Sequence, residues 1–285
     1  MKDIAVLHAE SQHVWGWPGT ANFVLVGAGT GVYIITFLAG IFHQGLSGLA
    51  SRTWLGLLGP VLAVLGFLAL TTEAGHPMRG MHLFRHLRHA WLSRETLFWT
   101  VFVFSATLDW FVPSLFLQIV AVLAALALMV SQGFILYQMR AISAWNVPPM
   151  PLFFVTSGLM SGSGIAVLAG GLVNPPLPLS ITVIAIAATG ANLFVWLLYL
   201  GSHHNADFSK VTEKLRRPFA ALNMVGLGHV VPLVLLFLLM SGKTANAWLS
   251  VAETVIGLAM IFGVFLQKKA IVKGISYMKE IRLIP

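Results

Sequence analysis

Long apolar runs separated by short polar segments make up most of the chain. Each run has about 20 residues, the length with which an α-helix crosses the ~30 Å hydrocarbon layer of a bilayer. The pattern predicts eight helices, near residues 19–42, 54–72, 95–112, 114–138, 150–173, 177–200, 219–240 and 247–267. Because eight is an even number, both termini are expected on the same side of the membrane.

Composition strengthens this interpretation. Hydrophobic residues form 58% of the chain and charged residues only 9%, whereas soluble domains carry about 25% charged residues. The predicted fold class is all-α and integral to the membrane, with eight transmembrane helices in a single membrane domain. The polar connection around residues 140–151 divides them into two predicted four-helix bundles, residues 1–145 and 146–285. The first run has no basic leader, so we expect a retained helix and not a signal peptide.

The distribution of Lys and Arg predicts the orientation. Of the 17 such residues, only Arg52 and Lys243 fall on the side opposite to the predicted termini. Basic residues in short loops are retained in the cytoplasm, so we expect cytoplasmic N- and C-termini in a multi-pass protein of the cytoplasmic (inner) membrane. The net charge of +8 then reflects topology. No nucleic-acid partner is expected, because the basic residues, Lys268 among them, are placed in segments that flank membrane helices.

The residue types also limit the cofactors. The chain contains no cysteine, which excludes disulfides, thiolate metal sites and iron–sulfur ligation by this chain. A transmembrane haem would need paired histidines at matching depth on facing helices. Only His229 lies deep in a predicted span, and a single histidine there is more often a packed, hydrogen-bonded core residue. We therefore expect this chain to bind neither haem nor metal.

Four acidic residues lie within predicted spans or at their ends: Glu73, Glu95, Asp109 and Glu253. An ionisable side chain at the bilayer centre costs at least about 2.5–3.5 kcal/mol, so those that occur usually have a function. Glu73 and Glu95 are predicted at the cytoplasmic surface, and Asp109 and Glu253 toward the opposite face. The second pair motivates one functional hypothesis, a proton-coupled transporter or ion translocator.

The connection from Glu73 to Glu95 is rich in histidine and arginine. Its members are His76, His82, His86, His89, Arg79, Arg85, Arg88 and Arg94. One interpretation is a solvated basic loop that contacts lipid headgroups. The other is a polar pocket for a quinone head at the membrane interface, where histidine and a neighbouring carboxylate exchange protons near neutral pH. Independently of any ligand, Ser93 and Glu95 occupy positions expected of a helix start, with Ser93 as the cap.

The first predicted span contains a glycine-rich segment at residues 27–31. It lies inside an apolar helix with no preceding strand, so it is not a dinucleotide-binding loop. Small residues in a membrane helix let a neighbouring helix approach closely or leave room for a flat ligand, and close packing is the more common outcome.

Four segments together resemble a known family. Residues 73–80 read Glu-Ala-Gly-His-Pro-Met-Arg-Gly, and residues 91–95 read Trp-Leu-Ser-Arg-Glu at the start of the third span. Residues 13–18, His-Val-Trp-Gly-Trp-Pro, precede the glycine-rich helix, and Tyr137 at the end of the fourth helix is followed by Trp145. In these motifs and in the layout of eight helices, the chain resembles the membrane-anchor subunits of dimethyl sulfoxide reductase and polysulfide reductase complexes, the NrfD-like superfamily.

The resemblance implies a haem-free anchor that binds quinone or quinol, menaquinone or ubiquinone, near the membrane surface. Such a chain is the quinone-reacting subunit of an oxidoreductase and not the catalyst for the main substrate. The implied partners are a four-cluster iron–sulfur subunit on the cytoplasmic face, a molybdopterin catalytic subunit beyond it, and membrane lipid. The residues implied in quinol chemistry are His76 and Glu95. Those implied in binding the quinone are Arg79, Arg94, Tyr137, Asn22 and His13.

The sequence also departs from the family pattern. Relatives often carry Gly-Glu followed by Arg in the last helix, whereas here Ala252 and Glu253 are followed by no such Arg. Several relatives place the docking face outside the cytoplasm, but the motif loop here lies on the side rich in basic residues. Among relatives, this orientation favours a sulfite-oxidising, quinone-reducing complex, with sulfite or another sulfur compound as the substrate of the catalytic subunit.

Overall fold

A computed structural model gives the fold of residues 6–7, 10–12, 15–44, 54–73, 87–88, 90–173, 177–202, 206–241, 246–278 and 281–282. Most of these residues are helical, because a helix satisfies its own backbone hydrogen bonds where lipid offers none. The elements in chain order are β1 (Val6–Leu7), α1 (Trp17–Gln44), α2 (Trp54–Thr71), α3 (Trp91–Phe111), α4 (Leu115–Tyr137), α5 (Met150–Val173), α6 (Leu179–Gly201), α7 (Ala206–Arg216), α8 (Pro218–Ala221), the π-helix π1 (Leu222–Val230), α9 (Val231–Met240), α10 (Asn246–Lys269), the π-helix π2 (Ala270–Gly274) and β2 (Ile281–Arg282).

Within these ranges, seven helices are long and apolar enough to cross a membrane. They are α1, α2, α4, α5, α6, the continuous helix formed by α8, π1 and α9, and the helix formed by α10 and π2. The chain is therefore a multi-pass membrane protein, as its apolar runs predict. The predicted and observed helices agree to within a few residues at most of their ends.

Helix α3 has the length of a membrane span but a more polar composition. Its 21 residues extend about 31 Å, and they include Arg94, Glu95 and Asp109. It packs against α2 and α4. The crossing by α3, and with it the total of eight spans, stays a prediction.

Close contacts between glycines bring α1 to its neighbours. A Cβ on Gly31 would overlap the backbone of Gly158 and Gly162 on α5, and a Cβ on Gly29 would overlap the carbonyl of Gly59 on α2. Helix α1 packs against α2, α4 and α5. Close packing, the more common outcome for a glycine-rich segment, is therefore what Gly29 and Gly31 provide.

One basic residue is not where the sequence interpretation placed it. The prediction that Lys268 lies in a segment flanking the membrane helices is wrong, because the residue is 0% exposed within the last span. Its Nζ donates to the carbonyl of Phe23 at 2.7 Å and lies 5.3 Å from the ring centroid of Phe154. Gly27 leaves the space for this ammonium group, because a Cβ there would collide with Nζ.

Two features outside the long helices were not predicted. Helix α7 is amphipathic, with Phe208 and Leu215 buried and Lys210 and Lys214 exposed. The ends of the chain also meet, since β1 and β2 pair in antiparallel register. Isolated bridges from Ser11 to Tyr277 and from Ile142 to Met278 extend this contact to the connection between α4 and α5.

Candidate functional site

Glu95 lies at the centre of a buried polar cluster. Helix α3 begins at Trp91, four residues before the predicted start, so Glu95 is one turn inside the helix. Its side chain is 2% exposed and its Oε1 accepts a hydrogen bond from Nε2 of Gln132 on α4 at 3.0 Å. The proposed role of Glu95 as a helix-terminal residue is therefore wrong, and the acid is held inside the protein.

Two further helices complete this cluster. The same Gln132 Nε2 donates to Asn22 Oδ1 on α1 at 3.1 Å, and Asn22 Nδ2 donates to the carbonyl of Gly66 on α2 at 3.2 Å. Asn22 and Gln132 are 0% exposed. We call Asn22, Gly66, Glu95 and Gln132 the first polar cluster, which takes one residue from each of α1 to α4.

One acceptor of the cluster has no donor in the described part of the protein. Gln132 Oε1 is buried with no hydrogen-bond partner, and so is the hydroxyl of Ser93, which does not cap α3 as expected. Buried polar atoms are normally hydrogen-bonded. A carboxylate with a single amide donor beside a free amide oxygen is thus suited to a ligand that carries hydroxyl donors.

Arg94 connects Leu87 and Arg88, which precede α3, to the first turn of that helix. Its Nε donates to the carbonyl of Leu87 at 2.9 Å and its Nη2 to the carbonyl of Arg88 at 2.8 Å. The guanidinium also lies 4.3 Å from the ring centroid of Trp91. Arg94 therefore points toward the backbone of Leu87 and Arg88, and its role in binding a quinone stays a prediction.

Tyr137 lies beyond the cluster along α4. It follows Gln132 by five residues, which is about 7.5 Å along a helix, and its ring meets that of Phe134 edge-on at 6.0 Å. Phe134 stacks on Trp91 at 4.3 Å. These three rings form an aromatic layer next to the first polar cluster. No hydrogen bond joins Tyr137 to the cluster within the residues that the structure covers.

The remaining predicted site residues, His13, His76 and Arg79, lie outside the described residues. Glu73, the last described residue before His76 and Arg79, contacts the start of α1. The exposed Glu73 carboxylate accepts hydrogen bonds from the backbone N–H of Gly16 and, at 3.0 Å, from that of Gly19. Free backbone N–H groups and the helix dipole favour a carboxylate at this place, so Glu73 caps the start of α1.

Gln132 was not among the predicted site residues, because it is a neutral amide and the candidates within the spans were ionisable residues. A signal was present, because a glutamine in the apolar sequence of α4 must find a hydrogen-bond partner in the interior. Asn22, a weaker candidate from the resemblance, is joined to Glu95 through this residue.

The two acids of the transporter hypothesis lie elsewhere, and both accept hydrogen bonds, although Glu253 Oε2 is buried without a partner in the described part of the protein. Asp109 accepts hydrogen bonds from Tyr33 at 3.3 Å and from the backbone of Ser114 at 3.0 Å. Glu253 accepts one from the backbone of Leu177 at 3.0 Å.

Comparison of the sequence with protein-family models gives no match, and comparison with curated proteins gives none either.

Proposed function

We propose that the chain is the quinone-reactive membrane subunit of a molybdopterin oxidoreductase complex. It passes electrons between the quinone pool and an iron–sulfur subunit, with sulfite or another sulfur compound as the substrate of the complex. The proposal includes α3 as the third of eight crossings, cytoplasmic termini, and a docking face on the cytoplasmic side. The observation that carries it is the first polar cluster, in which a buried carboxylate lies beside an unpaired amide oxygen.

The first polar cluster suits a quinol because its hydrogen-bonding groups complement those of the quinol. A quinol has two hydroxyl donors, whereas Glu95 and Gln132 Oε1 are acceptors. Oxidation of the quinol breaks two O–H bonds, releases two protons and sends two electrons to the iron–sulfur subunit; reduction of a quinone reverses each step. Glu95 accepts or returns one proton. The resemblance assigns the other proton to His76.

The location also fits a molecule that is part lipid. Glu95 lies one turn from the start of α3, so the cluster is near one end of the helices and close to the membrane surface. The rings of Trp91, one helical turn before Glu95, and of Tyr137, five residues after Gln132, both pack against Phe134. A quinone placed here keeps its tail among the apolar helices and its head at the polar edge.

Replacement of Glu95 tests the proposal. The full chain is placed in lipid nanodiscs, and quinol binding is followed by quenching of tryptophan fluorescence. Glu95→Gln should weaken binding about tenfold, because a hydrogen bond to a charged acceptor contributes about 1.5–3 kcal/mol and 1.4 kcal/mol is a factor of ten. Glu253→Gln is the matched control, since it removes the charge of another buried acid and should leave binding unchanged.

Turnover of the assembled complex gives a second measurement. Glu95→Gln should reduce quinone-linked turnover and leave the turnover of the catalytic subunit with a soluble electron acceptor unchanged. Full quinone-linked turnover in an assembled Glu95→Gln complex would refute the assignment. Purification of the chain without iron–sulfur and molybdenum subunits, together with proton-coupled transport by the isolated chain in liposomes, would favour the transporter hypothesis instead.

A further inference from the structure

A second polar cluster lies among the later helices. It consists of Thr156 on α5, Asn192 on α6, His229 on π1 and Gln267 on α10, and each of these side chains is at most 6% exposed. We call these four residues the second polar cluster. Like the first polar cluster, it takes one residue from each of four successive long helices, but it places a histidine where the first places a glutamate.

With the Asn192 amide in the orientation of the structure, each group of this cluster has one donor or acceptor role. The Thr156 hydroxyl donates to the carbonyl of Leu152 at 3.1 Å, so its oxygen accepts from Asn192 Nδ2, 3.2 Å away. Asn192 therefore turns its Oδ1 toward His229 Nε2, at 2.8 Å. On the other side of the ring, His229 Nδ1 lies 2.6 Å from the carbonyl of Met224.

Both ring nitrogens of His229 thus face carbonyl oxygens. A carbonyl oxygen only accepts, and a neutral imidazole has a single N–H. Both contacts are hydrogen bonds only if each nitrogen carries a proton. The arrangement of Asn192 and Met224 is therefore that of an imidazolium.

The same residues also accommodate the neutral ring. A half-turn of the Asn192 amide directs its NH₂ group at His229 Nε2, and the Thr156 hydroxyl then donates to Asn192 Oδ1. Gln267 follows the same rule. Its Nε2, 3.5 Å from His229 Nε2, donates only to the neutral ring, and a half-turn of its amide offers the imidazolium the Oε1 atom, which is buried without a partner within the described ranges. Two charge states are satisfied by rotating neutral amides, without a backbone movement.

The backbone around His229 is unusual in a way that supports this geometry. His229 and Met224 are both in the nine-residue π-helix π1, and π-helical turns occur frequently at functional sites. Gly228 and Gly263 contact each other closely, because a Cβ on either would lie under 3 Å from the other residue. This contact holds π1 against α10 and brings Gln267, one turn beyond Gly263, to the histidine.

Charged groups on the surrounding helices do not neutralise an imidazolium here. The sequences of α5, α6 and α9 contain no charged residue, and Tyr199 is the only titratable group among them. Helix α10 carries Glu253, Lys268 and Lys269. Glu253 lies near the opposite end of that helix, bonded to Leu177, and Lys268 donates to α1. A permanent charge on His229 would therefore have no carboxylate partner in the described structure.

We propose that His229 is a reversible proton-binding site of the second polar cluster. The ligand is a proton delivered by water: the Nε2–H bond forms when the ring becomes an imidazolium and breaks when the proton returns to water, and no electron is transferred. Asn192 is the positioning residue, because its amide turns with the charge of the ring. This site is separate from the quinone site proposed at Glu95.

Solid-state NMR of the full chain in lipid bilayers tests this proposal. The protein is labelled with ¹³C and ¹⁵N, and the His229 signals are identified in the wild type by sequential correlation with Gly228 and Val230. Between about pH 5 and pH 9, the range in which histidine commonly titrates, we expect His229 to change from imidazolium to neutral imidazole. A single charge state over this whole range in the wild-type protein would overturn the proposal, even if no variant folds.

Substitution of Asn192 gives a second, independent result. In Asn192→Asp the carboxylate only accepts, so His229 should remain an imidazolium throughout the range. Asn223→Asp is the matched control: Asn223 lies in the same π-helix but donates to Phe219, and His229 should titrate as in the wild type. The same His229 signals in Asn192→Asp as in the control would contradict the positioning role of Asn192. Because Glu95→Gln should leave the titration unchanged, failure of the quinone proposal and failure of this one are distinguishable.

Discussion

Asp109 illustrates how a single buried acid is accommodated in this membrane protein. It is 0% exposed, and its two oxygens accept hydrogen bonds from the Tyr33 hydroxyl and the backbone N–H of Ser114. Ser114 is the residue at the N-terminal cap of α4. The carboxylate therefore ties the end of α3 to the start of α4 and connects both to α1, which gives the acid a structural role at this depth.

Substitutions of Asp109 should measure this role. Asp109→Leu leaves the buried Tyr33 hydroxyl and the partly buried Ser114 N–H without an acceptor. An unpaired buried group costs about 1–3 kcal/mol, so we expect the free energy of unfolding to fall by about 2 kcal/mol. Asp109→Asn keeps one acceptor for Ser114 and should cost less. Unfolding in detergent, followed by circular dichroism, gives both values. Equal stability of Asp109→Leu and the wild type would contradict the structural role.

At the scale of helices, close backbone contact is what fixes α1 in the bundle. Gly31 faces the backbone of α5 with no room for a methyl group, whereas a Cβ on Gly190 of α6 would meet nothing within 4 Å. In lipid, helix association depends on packing and interhelical hydrogen bonds, because the lipid tails are as apolar as the side chains. The backbone contact at Gly31 therefore stabilises the packing of α1 on α5, although glycine contributes no side chain.

The two glycines form a matched pair for experiment. Gly31→Ala should lower the free energy of unfolding by about 1–3 kcal/mol, the usual cost of overpacking, because α1 and α5 must separate. Gly190→Ala inserts the same methyl group into open space and should not lower stability. Thermal unfolding of both variants in the same detergent compares them. If the two variants lost stability equally, the close packing of α1 on α5 would not be the cause.

At the scale of the whole molecule, one structural observation bears on the predicted number of crossings, which stays a prediction. The paired strands β1 and β2 place the two ends of the chain side by side, and an even number of crossings requires both ends on one side of the membrane. Which side of the membrane carries the two ends is a prediction from the positive-inside rule. It also determines the face on which an iron–sulfur subunit would dock.

Cysteine labelling tests this orientation without background, because the chain has no cysteine of its own. Arg140, between α4 and α5, and Ser241, after α9, are both exposed. With cytoplasmic termini, Ser241→Cys should react with a membrane-impermeant maleimide in intact cells, and Arg140→Cys only after permeabilisation. The reverse pattern would invert the orientation and move the predicted docking face to the outside.

The sequence by itself determined the helices, because the length of an apolar run and the need to satisfy backbone hydrogen bonds in lipid are local properties. It also identified Glu95 as an acid too costly to be incidental. Only the tertiary structure decided which polar groups meet. Asn22 and Gln132 are 110 positions apart in the chain, and they reach Glu95 only because α1, α3 and α4 pack together.

Burial was likewise decided by packing. Lys268 directly follows the last predicted span, as a flanking charge would, but its ammonium group occupies the space beside Gly27 in the interior. The protonation chemistry inferred for His229 depends on the same kind of information, since it follows from the direction of hydrogen bonds contributed by α5, α6 and π1. A sequence specifies which residues can donate or accept a hydrogen bond, and the three-dimensional arrangement of helices specifies which of them face each other.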